Sequence, residues 1–177
     1  MIVRREQPRD HGAVRSLHLA AFAVDPVTGV GRTAGDIPEA RLVDELREDA
    51  GFLPYLSLVA EDGGDVVGHV IATRGWLEPF GTPVLGLGPL GIRPDRQRRG
   101  LGTVLVHALL AVAEAADERL VALLGSPAYY RRFGFVRSTE LGVSPPEQVW
   151  GDHFQARRLH EGPVQGTFRY AEPFTRL

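Results

Sequence analysis

The sequence predicts an α/β (α+β) chain in which helices flank a sheet, and three observations predict it. Short apolar runs of strand character are separated by stretches with helical spacing. Two of the runs are joined by Asp62-Gly63-Gly64-Asp65, a strong hairpin signal. Val84 to Thr103, V-L-G-L-G-P-L-G-I-R-P-D-R-Q-R-R-G-L-G-T, passes from an apolar strand through an arginine-dense loop directly onto a helix. Within that strand Leu85 and Leu87 alternate on odd positions, whereas Leu90 and Ile92 fall on even ones. The side-chain phase therefore slips by one residue around Pro89, as a β-bulge would make it slip. A bulge there would splay the strand from its neighbour and free main-chain groups for a ligand. A Gly-rich strand that ends early is the plainer alternative.

Taken in order, Ile2-Val3-Arg4 reads as a first strand, and Pro8-Arg9-Asp10 turns into a helix from about His11 to Phe22, with Val14 and Leu17 on its apolar side. Ala23–Ile37, rich in Gly and turn formers, reads as a mobile loop. Pro38 suits the first turn of a helix running to about Arg47 that faces Ala40, Val43 and Leu46 inward. Leu56–Ala60 and Val66–Ala72 are the hairpin strands, and Trp76–Pro83 reads as an irregular connection. After Gly102 a helix to about Ala116 is expected to bury Val104, Leu105, Ala108 and Val112. Leu120–Leu124 is an apolar run of the centrally buried kind. Ser126 as N-cap and Pro127 at the first helical position start a short helix to Arg132. Phe133–Val136 returns as a strand. Val143–Gly166, with Pro145-Pro146, Trp150 and Pro163, carries no clear pattern, and Gly166–Ala171 reads as a last strand.

Composition narrows the chemistry. At 177 residues and 44% hydrophobic the chain suits one domain with a proper core. Its formal net charge of −2 argues against a general nucleic-acid binder. No run approaches the roughly 20 apolar residues of a membrane span, and the opening M-I-V-R-R-E lacks a signal-peptide core, so a cytoplasmic protein with no membrane partner is expected. With no cysteine, a thiolate metal site or cysteine nucleophile is excluded; with all 20 basic residues arginine, so are a lysine Schiff base and a complete P-loop. A glycine-marked helix start presents unpaired N–H groups and a positive dipole end, a natural phosphate cradle, with Arg96, Arg98 and Arg99 adding charge.

Gln97-Arg98-Arg99-Gly100-Leu101-Gly102 resembles the Q/R-x-x-G-x-G/A signature of the GCN5-related N-acetyltransferases (GNAT), after a strand and before a helix as that family requires. Downstream, Ala128-Tyr129-Tyr130-Arg131-Arg132-Phe133-Gly134-Phe135 is similar to the family's Y-x-x-x-G-F segment. The resemblance covers roughly Ile2 to Val136, and G-x-P-x-Y-Y-x-R-F-G-F is similar to a bacterial subgroup.

The resemblance implies a mixed, mainly antiparallel central sheet with a bulged, splayed strand. The chain is then a single N-acetyltransferase domain over 1–177, with a core over 1–140 and 141–177 completing the sheet and the acceptor side. It implies acetyl-CoA as co-substrate, no metal, and direct transfer to a small-molecule or peptide amine. Main-chain donors around Arg98, Arg99, Gly100, Leu101, Gly102 and Thr103, with Gln97, would hold the pyrophosphate, and Leu90, Gly91 and Ile92 would pair with the pantetheine arm. The Leu90 N–H would face the thioester oxygen as catalytic donor, and Tyr130 would be the general acid, with Tyr129 the choice in a shifted register. A phenol of ordinary pKa near 10 is not far above a thiol near 8.5.

Many family members carry an Asn shortly before the Tyr motif; Gly125-Ser126-Pro127 stands here, and Ser126, through hydroxyl or backbone, is the candidate replacement. His69, Glu61, Glu78, Asp36 and Glu172 are open as bases, as is solvent relayed by backbone carbonyls, and no motif places any of them. Asp25, Asp36, Glu39 and Glu78 are candidates to attract a cationic amine, from walls expected in Ala23–Ile37, Trp76–Pro83 and Val143–Gly166. Aminoglycoside, polyamine, amino acid and protein N-terminus all stay open as acceptors. A homodimer is one state the resemblance allows, and a non-catalytic acyl-CoA-binding module is the competing class.

Overall fold

Alternation along the strands sorts the side chains onto two faces of one sheet, and each face meets different helices. A computed structural model of the chain describes residues 1–24, 29–33, 35 and 37–176. Its strands are β1 (Ile2–Arg5), β2 (Ser57–Asp62), β3 (Asp65–Glu78), β4 (Thr82–Ile92), β5 (Leu120–Leu124), β6 (Val136–Arg137), β7 (Val143–Ser144), β8 (Phe154–Arg158) and β9 (Gly166–Arg169). Its helices are α1 (His11–Ala21), α2 (Pro38–Glu48), α3 (Leu101–Ala115) and α4 (Pro127–Tyr130). Among the described residues the strands form one sheet ordered β1-β2-β3-β4-β5-β8-β6, with β9 beside β3 and β7 beside β9. The β4–β5 and β7–β9 pairs are parallel and the other pairs antiparallel.

The β2–β3 hairpin closes on Gly63 and Gly64 at φ 61° and 91°, the left-handed values a two-residue turn requires, so that Asp62 pairs with Asp65. Farther along, Val70 pairs with Leu90 but Ala72 with Leu87, so Gly88 and Pro89 together oppose Ile71. This is the bulge expected from the phase slip. Its effect is visible in the packing: Leu85, Leu87, Leu90 and Ile92 all join the same apolar cluster as Leu105 and Leu109 of α3. Were the same sequence paired one to one with β3 throughout, Leu90 and Ile92 would point to the opposite face.

That opposite face is covered by α1, α2 and the C-terminal segment. Val14 of α1 and Val43 of α2 pack on Val59, and Leu42 and Leu46 pack on Ile71. Val84, Leu120 and Ala122 meet Phe154, Phe168 and Tyr170. Leu105, Leu109, Leu46 and Leu120 are fully buried, each stabilising the fold by roughly 1.5–3 kcal/mol.

Four elements differ from expectation, the first being Phe133–Val136: Phe133 closes a 3-10 turn, Gly134 takes a left-handed φ, and pairing begins only at Val136 in β6. In α3, Val104 is 42% exposed, Ala108 and Val112 are half-buried, and the inward stripe is Leu105, Val106, Leu109, Leu110 and Ala113. Leu101–Ala113 is apolar at nearly every position, so spacing alone cannot choose its face. The stretch from Trp76 is not an irregular connection: β3 continues to Glu78, held by β4 on one edge and β9 on the other. The unpatterned C-terminal stretch contains β8, inserted beside β5, where Phe154, Gln155 and Ala156 are buried.

Gly86 admits the Tyr170 ring onto β4: a Cβ there would lie 2.8 Å from Cδ1. Gly86→Ala is expected to destabilise by about 1–3 kcal/mol through overpacking, a fall of roughly 2–12 °C in Tm by calorimetry. Val149→Ala, at a position 88% exposed, should leave Tm unchanged. Equal Tm for wild type and Gly86→Ala would contradict the packing described.

Candidate active site

β4 and β5 are paired only at Leu85–Val121 and Gly86–Ala122. Beyond these, β4 follows β3 to Ile92 while β5 follows β8 to Leu124, and the two strands part. Tyrosine rings occupy both sides of the parting. Tyr170 lies on Gly86 with its hydroxyl on the Leu124 backbone, and Tyr130 lies on Gly125, where a Cβ would come within 2.5 Å of Cε2. The Arg93 N–H donates to the Val67 carbonyl at 3.0 Å across the β3 side. Main-chain direction alternates along a strand, so the N–H groups of Leu90 and Ile92 face the open side.

At the end of this edge, Gln97 Nε2 donates to the Ile92 carbonyl at 3.1 Å and folds the arginine loop back onto the strand. Arg98 and Gly100 take left-handed φ of 58° and 84°, turning the chain into α3. Gly100 is the N-cap, and having no side chain it supplies no cap. The Val104 N–H makes the first helical bond, to Gly100 at 3.0 Å, so the N–H groups of Leu101, Gly102 and Thr103 have no helical acceptor. They border a cavity of ≈ 310 Å³, shared with Ile92, Gln97, Arg96, Arg98, Tyr129 and Arg132. Arg96 is tied to Asp62 at 2.9 Å, so Arg98 and Arg132 dominate the charge there. The Arg132 guanidinium lies 4.9 Å from the Tyr129 ring centre and its Nε donates to the Tyr129 carbonyl. Adjacent to the tyrosine motif, Arg132 was the residue of this cavity that sequence reading passed over. Arg99 is exposed on the same loop but does not line the cavity. The Cβ side of Gly91 faces α1, where His18 and Leu17 leave room only for hydrogen.

A second cavity, ≈ 430 Å³, lies at Leu87–Leu90 and is walled by Phe22, Glu39, Leu42, Leu124, Tyr130, Trp150, Tyr170 and Phe174. The two candidate tyrosines are thereby told apart. Tyr129 Oη lies at the start of α3, 2.6 Å from where a Gly102 Cβ would sit, whereas Tyr130 shares the second cavity with Leu90. Burial, with Tyr129 alongside, pushes the Tyr130 phenol well above its usual 10, so the near match to a thiol assumed from sequence does not hold. Ser126 is the N-cap of α4: its carbonyl accepts the Tyr129 and Tyr130 N–H groups, while its exposed hydroxyl caps nothing and lines neither cavity.

The walls of the second cavity partly correct expectation. Trp150 falls in the expected C-terminal segment, but Trp76–Pro83 takes no part; Trp76 instead carries the Arg169 guanidinium 4.4 Å from its ring. Phe22, Leu42, Tyr170 and Phe174 were missed, since nothing but their eventual position distinguishes them from core residues. Asp25 and Asp36 lie outside the described residues. Glu61 binds Arg4 at 2.7 Å, Glu78 binds Arg169 at 2.9 Å and Glu172 binds Arg176 at 3.1 Å, each away from the cavity.

His69 is also removed as a base at this site, being fully buried in a chain of hydrogen bonds. Its Nδ1 is 2.8 Å from His18 Nε2, its Nε2 is 3.0 Å from Ser57 Oγ, and Ser57 is 2.6 Å from Glu6 Oε2, which Arg47 neutralises. With both rings neutral the bonds assign the tautomers: His18 Nε2–H donates to His69, His69 Nε2–H to Ser57, and Ser57 to Glu6. His18 Nδ1 then keeps only a lone pair, consistent with its lack of a partner. Burial holds both imidazoles below their usual 6.5. Among the described residues no group of three His, Asp or Glu side chains could hold a metal ion, and no helix is long and apolar enough to cross a membrane.

Residues 30–135 match the model of the Acetyltransferase (GNAT) family. The chain is 29% identical to the uncharacterized N-acetyltransferase YhbS of Escherichia coli K12 over the whole of both chains. It is 35% identical to the uncharacterized N-acetyltransferase YjhQ of the same organism, over 80% of this chain and 83% of that one. The crystal structure of E. coli YhbS in complex with CoA superposes with a TM-score of 0.85, covering 99% of this chain and 92% of YhbS. A GNAT family acetyltransferase from Brucella melitensis in complex with acetyl-CoA, 32% identical, gives 0.77 over 98% and 97% of the two chains.

The buried imidazoles generate a stability prediction. Their folded-state pKa values are depressed, so the unfolded chain takes up protons first, and stability present above about pH 6.5 is lost as pH falls through that value. Tm is expected to drop between about pH 7 and 5.5, above the range where carboxylates titrate. His18→Gln should flatten that slope; an unchanged slope would place the titration elsewhere.

Proposed function

The chain belongs to the acetyltransferase (GNAT) family, and on that premise we propose that it moves the acetyl group of acetyl-CoA directly to an amine. One observation carries the reading: the open edge of β4, from Leu90 to Ile92, runs straight into the uncapped start of α3. An acyl-CoA needs just these two surfaces in sequence, strand-type partners for the amides of its pantetheine arm and converging donors for its pyrophosphate. The relatives that bind CoA and acetyl-CoA support the assignment.

In this reading Gly100, Leu101, Gly102 and Thr103 supply main-chain donors to the pyrophosphate, assisted by Arg98 and Arg132, with Arg99 extending the positive field. Gln97 holds the loop against Ile92. Leu90, Gly91 and Ile92 form the edge for the arm, and Ser126, with its hydroxyl uncommitted, is the candidate in place of the family's Asn. The Leu90 N–H faces the thioester oxygen, where negative charge grows on amine attack; such a donor is worth about 2.7–4 kcal/mol in the barrier.

As the C–N bond forms and the C–S bond breaks, the amine surrenders a proton to solvent and the thiolate acquires one. Tyr130 stands beside Leu90 as the acid. Its raised pKa keeps it protonated at neutral pH, where it stabilises the departing sulfur by a hydrogen bond, and the thiolate acquires its proton as solvent re-protonates the pair.

Tyr130→Phe is expected to lower kcat by roughly 10²–10⁴-fold while acetyl-CoA affinity, measured by calorimetry, changes less than about threefold. Unchanged kcat would remove Tyr130 from the mechanism. Because the phenol titrates above 10, kcat should show no alkaline limb from it below about pH 10. Replacing Arg98 and Arg132 together by Gln should weaken acetyl-CoA binding about tenfold or more with kcat retained. Thiol release from acetyl-CoA with a panel of amines separates the enzyme from a mere binding module, which would bind saturably and never turn over.

A further inference from the structure

The acceptor-side cavity has a specific chemical character. Phe22, Trp150, Tyr170 and Phe174 give it aromatic walls, Leu42 and Pro89 add apolar surface, and among the described residues that line it Glu39 is the one carboxylate and none is a cation. Glu39 sits in the first turn of α2, following Pro38. One of its oxygens, Oε1, is ion-paired at the rim with Arg32 Nη1 at 3.4 Å. The other, Oε2, is buried with no hydrogen-bond partner. A carboxylate oxygen withdrawn from water without a donor is costly, and the cost disappears when a ligand supplies an N–H.

We infer that the acceptor is a small primary amine with an aromatic body, its ring held among Phe22, Trp150, Tyr170 and Phe174 and its ammonium group held by Glu39 Oε2. The inference rests on the acetyl-transfer reading, because it places that amine beside Leu90 and Tyr130, where the thioester would lie. The cavity selects against the other amines. A polyamine or aminoglycoside brings several ammonium groups, and among the described lining residues one carboxylate leaves the rest facing aromatic rings. An aromatic monoamine matches both features, since rings pack on rings and one ammonium group supplies the N–H that Oε2 lacks. Glu39 binds the amine in its protonated form. The proton passes to solvent before the nitrogen attacks, and the C–N bond then forms as the C–S bond breaks.

The test uses phenethylamine and its uncharged counterpart 2-phenylethanol, titrated into the full chain at neutral pH without coenzyme and followed by calorimetry. Wild type is expected to bind phenethylamine at least about tenfold more tightly than the alcohol, as a charge-assisted bond to a buried carboxylate oxygen provides. Glu39→Gln should reduce the preference to within about twofold, and Glu39→Asp should restore part of it. Phe174→Leu should weaken both probes together and leave their ratio intact, which keeps the inference decidable if Glu39→Gln does not fold. Equal binding of amine and alcohol to wild type, a preference that survives Glu39→Gln, or spermidine binding more tightly than phenethylamine would each overturn it. Acetyl-CoA affinity should be the same in wild type and Glu39→Gln. Failure of acetyl-CoA to bind at all would defeat the coenzyme reading, while the amine-to-alcohol ratio still decides the role of Glu39.

Discussion

The structure depends on a two-against-one pairing: Gly88 and Pro89 of β4 facing Ile71 of β3. That single extra residue keeps Leu85 and Leu87 on the α3 face and returns Leu90 and Ile92 to it after the slip, so the core stays continuous through the irregularity. The same irregularity leaves β4 paired to β3 but not to β5 beyond Gly86. A regular strand would have satisfied its main chain on both edges and left nothing to bind with. The site is therefore a place where ordinary sheet pairing is withheld on one side and kept on the other.

Small residues keep the parting open by admitting large ones. Gly86 accepts the Tyr170 ring, Gly125 accepts Tyr130, and Gly102 accepts the hydroxyl end of Tyr129. The three tyrosines then divide the work by position. Tyr170 spans from Gly86 to Leu124 where the strands separate, Tyr129 borders the cationic cavity, and Tyr130 borders the aromatic one. The electrostatics differ along the edge in the same way, with Arg98 and Arg132 at the helix start and Glu39 at the far wall. A polyanionic coenzyme and a cationic amine would thus be drawn to opposite ends of one strand edge.

How much of this could be read beforehand follows from range. The bulge was legible because it alters a local alternation, Leu85–Leu87 against Leu90–Ile92, and the helix start because Gly100 and Gly102 flank a change of period. The Asp62–Asp65 hairpin was legible for the same reason. The outward face of Val104 was not, because α3 is apolar on every side and only tertiary contact selects its stripe. Nor were Phe22, Leu42, Tyr170 and Phe174, which reach the cavity from α1, α2 and the chain's end, brought together by pairings such as Trp76 with Arg169 that no local pattern encodes. Glu39 was one of four acids the sequence offered for a cationic amine, and only its buried, unpartnered Oε2 sets it apart from Glu78, which is paired with Arg169.

The central claim is that main-chain groups of Leu90 and Ile92, and those at the start of α3, are held in reserve for an acyl-CoA. Amide hydrogen exchange with and without acetyl-CoA measures this at the groups concerned. The account predicts that Leu90, Ile92 and Leu101–Thr103 exchange freely in the unliganded protein and become protected on adding acetyl-CoA, while Leu85 and Gly86 stay protected throughout. Full protection of Leu90 and Ile92 before acetyl-CoA is added, or no change at these amides at saturating acetyl-CoA, would contradict it.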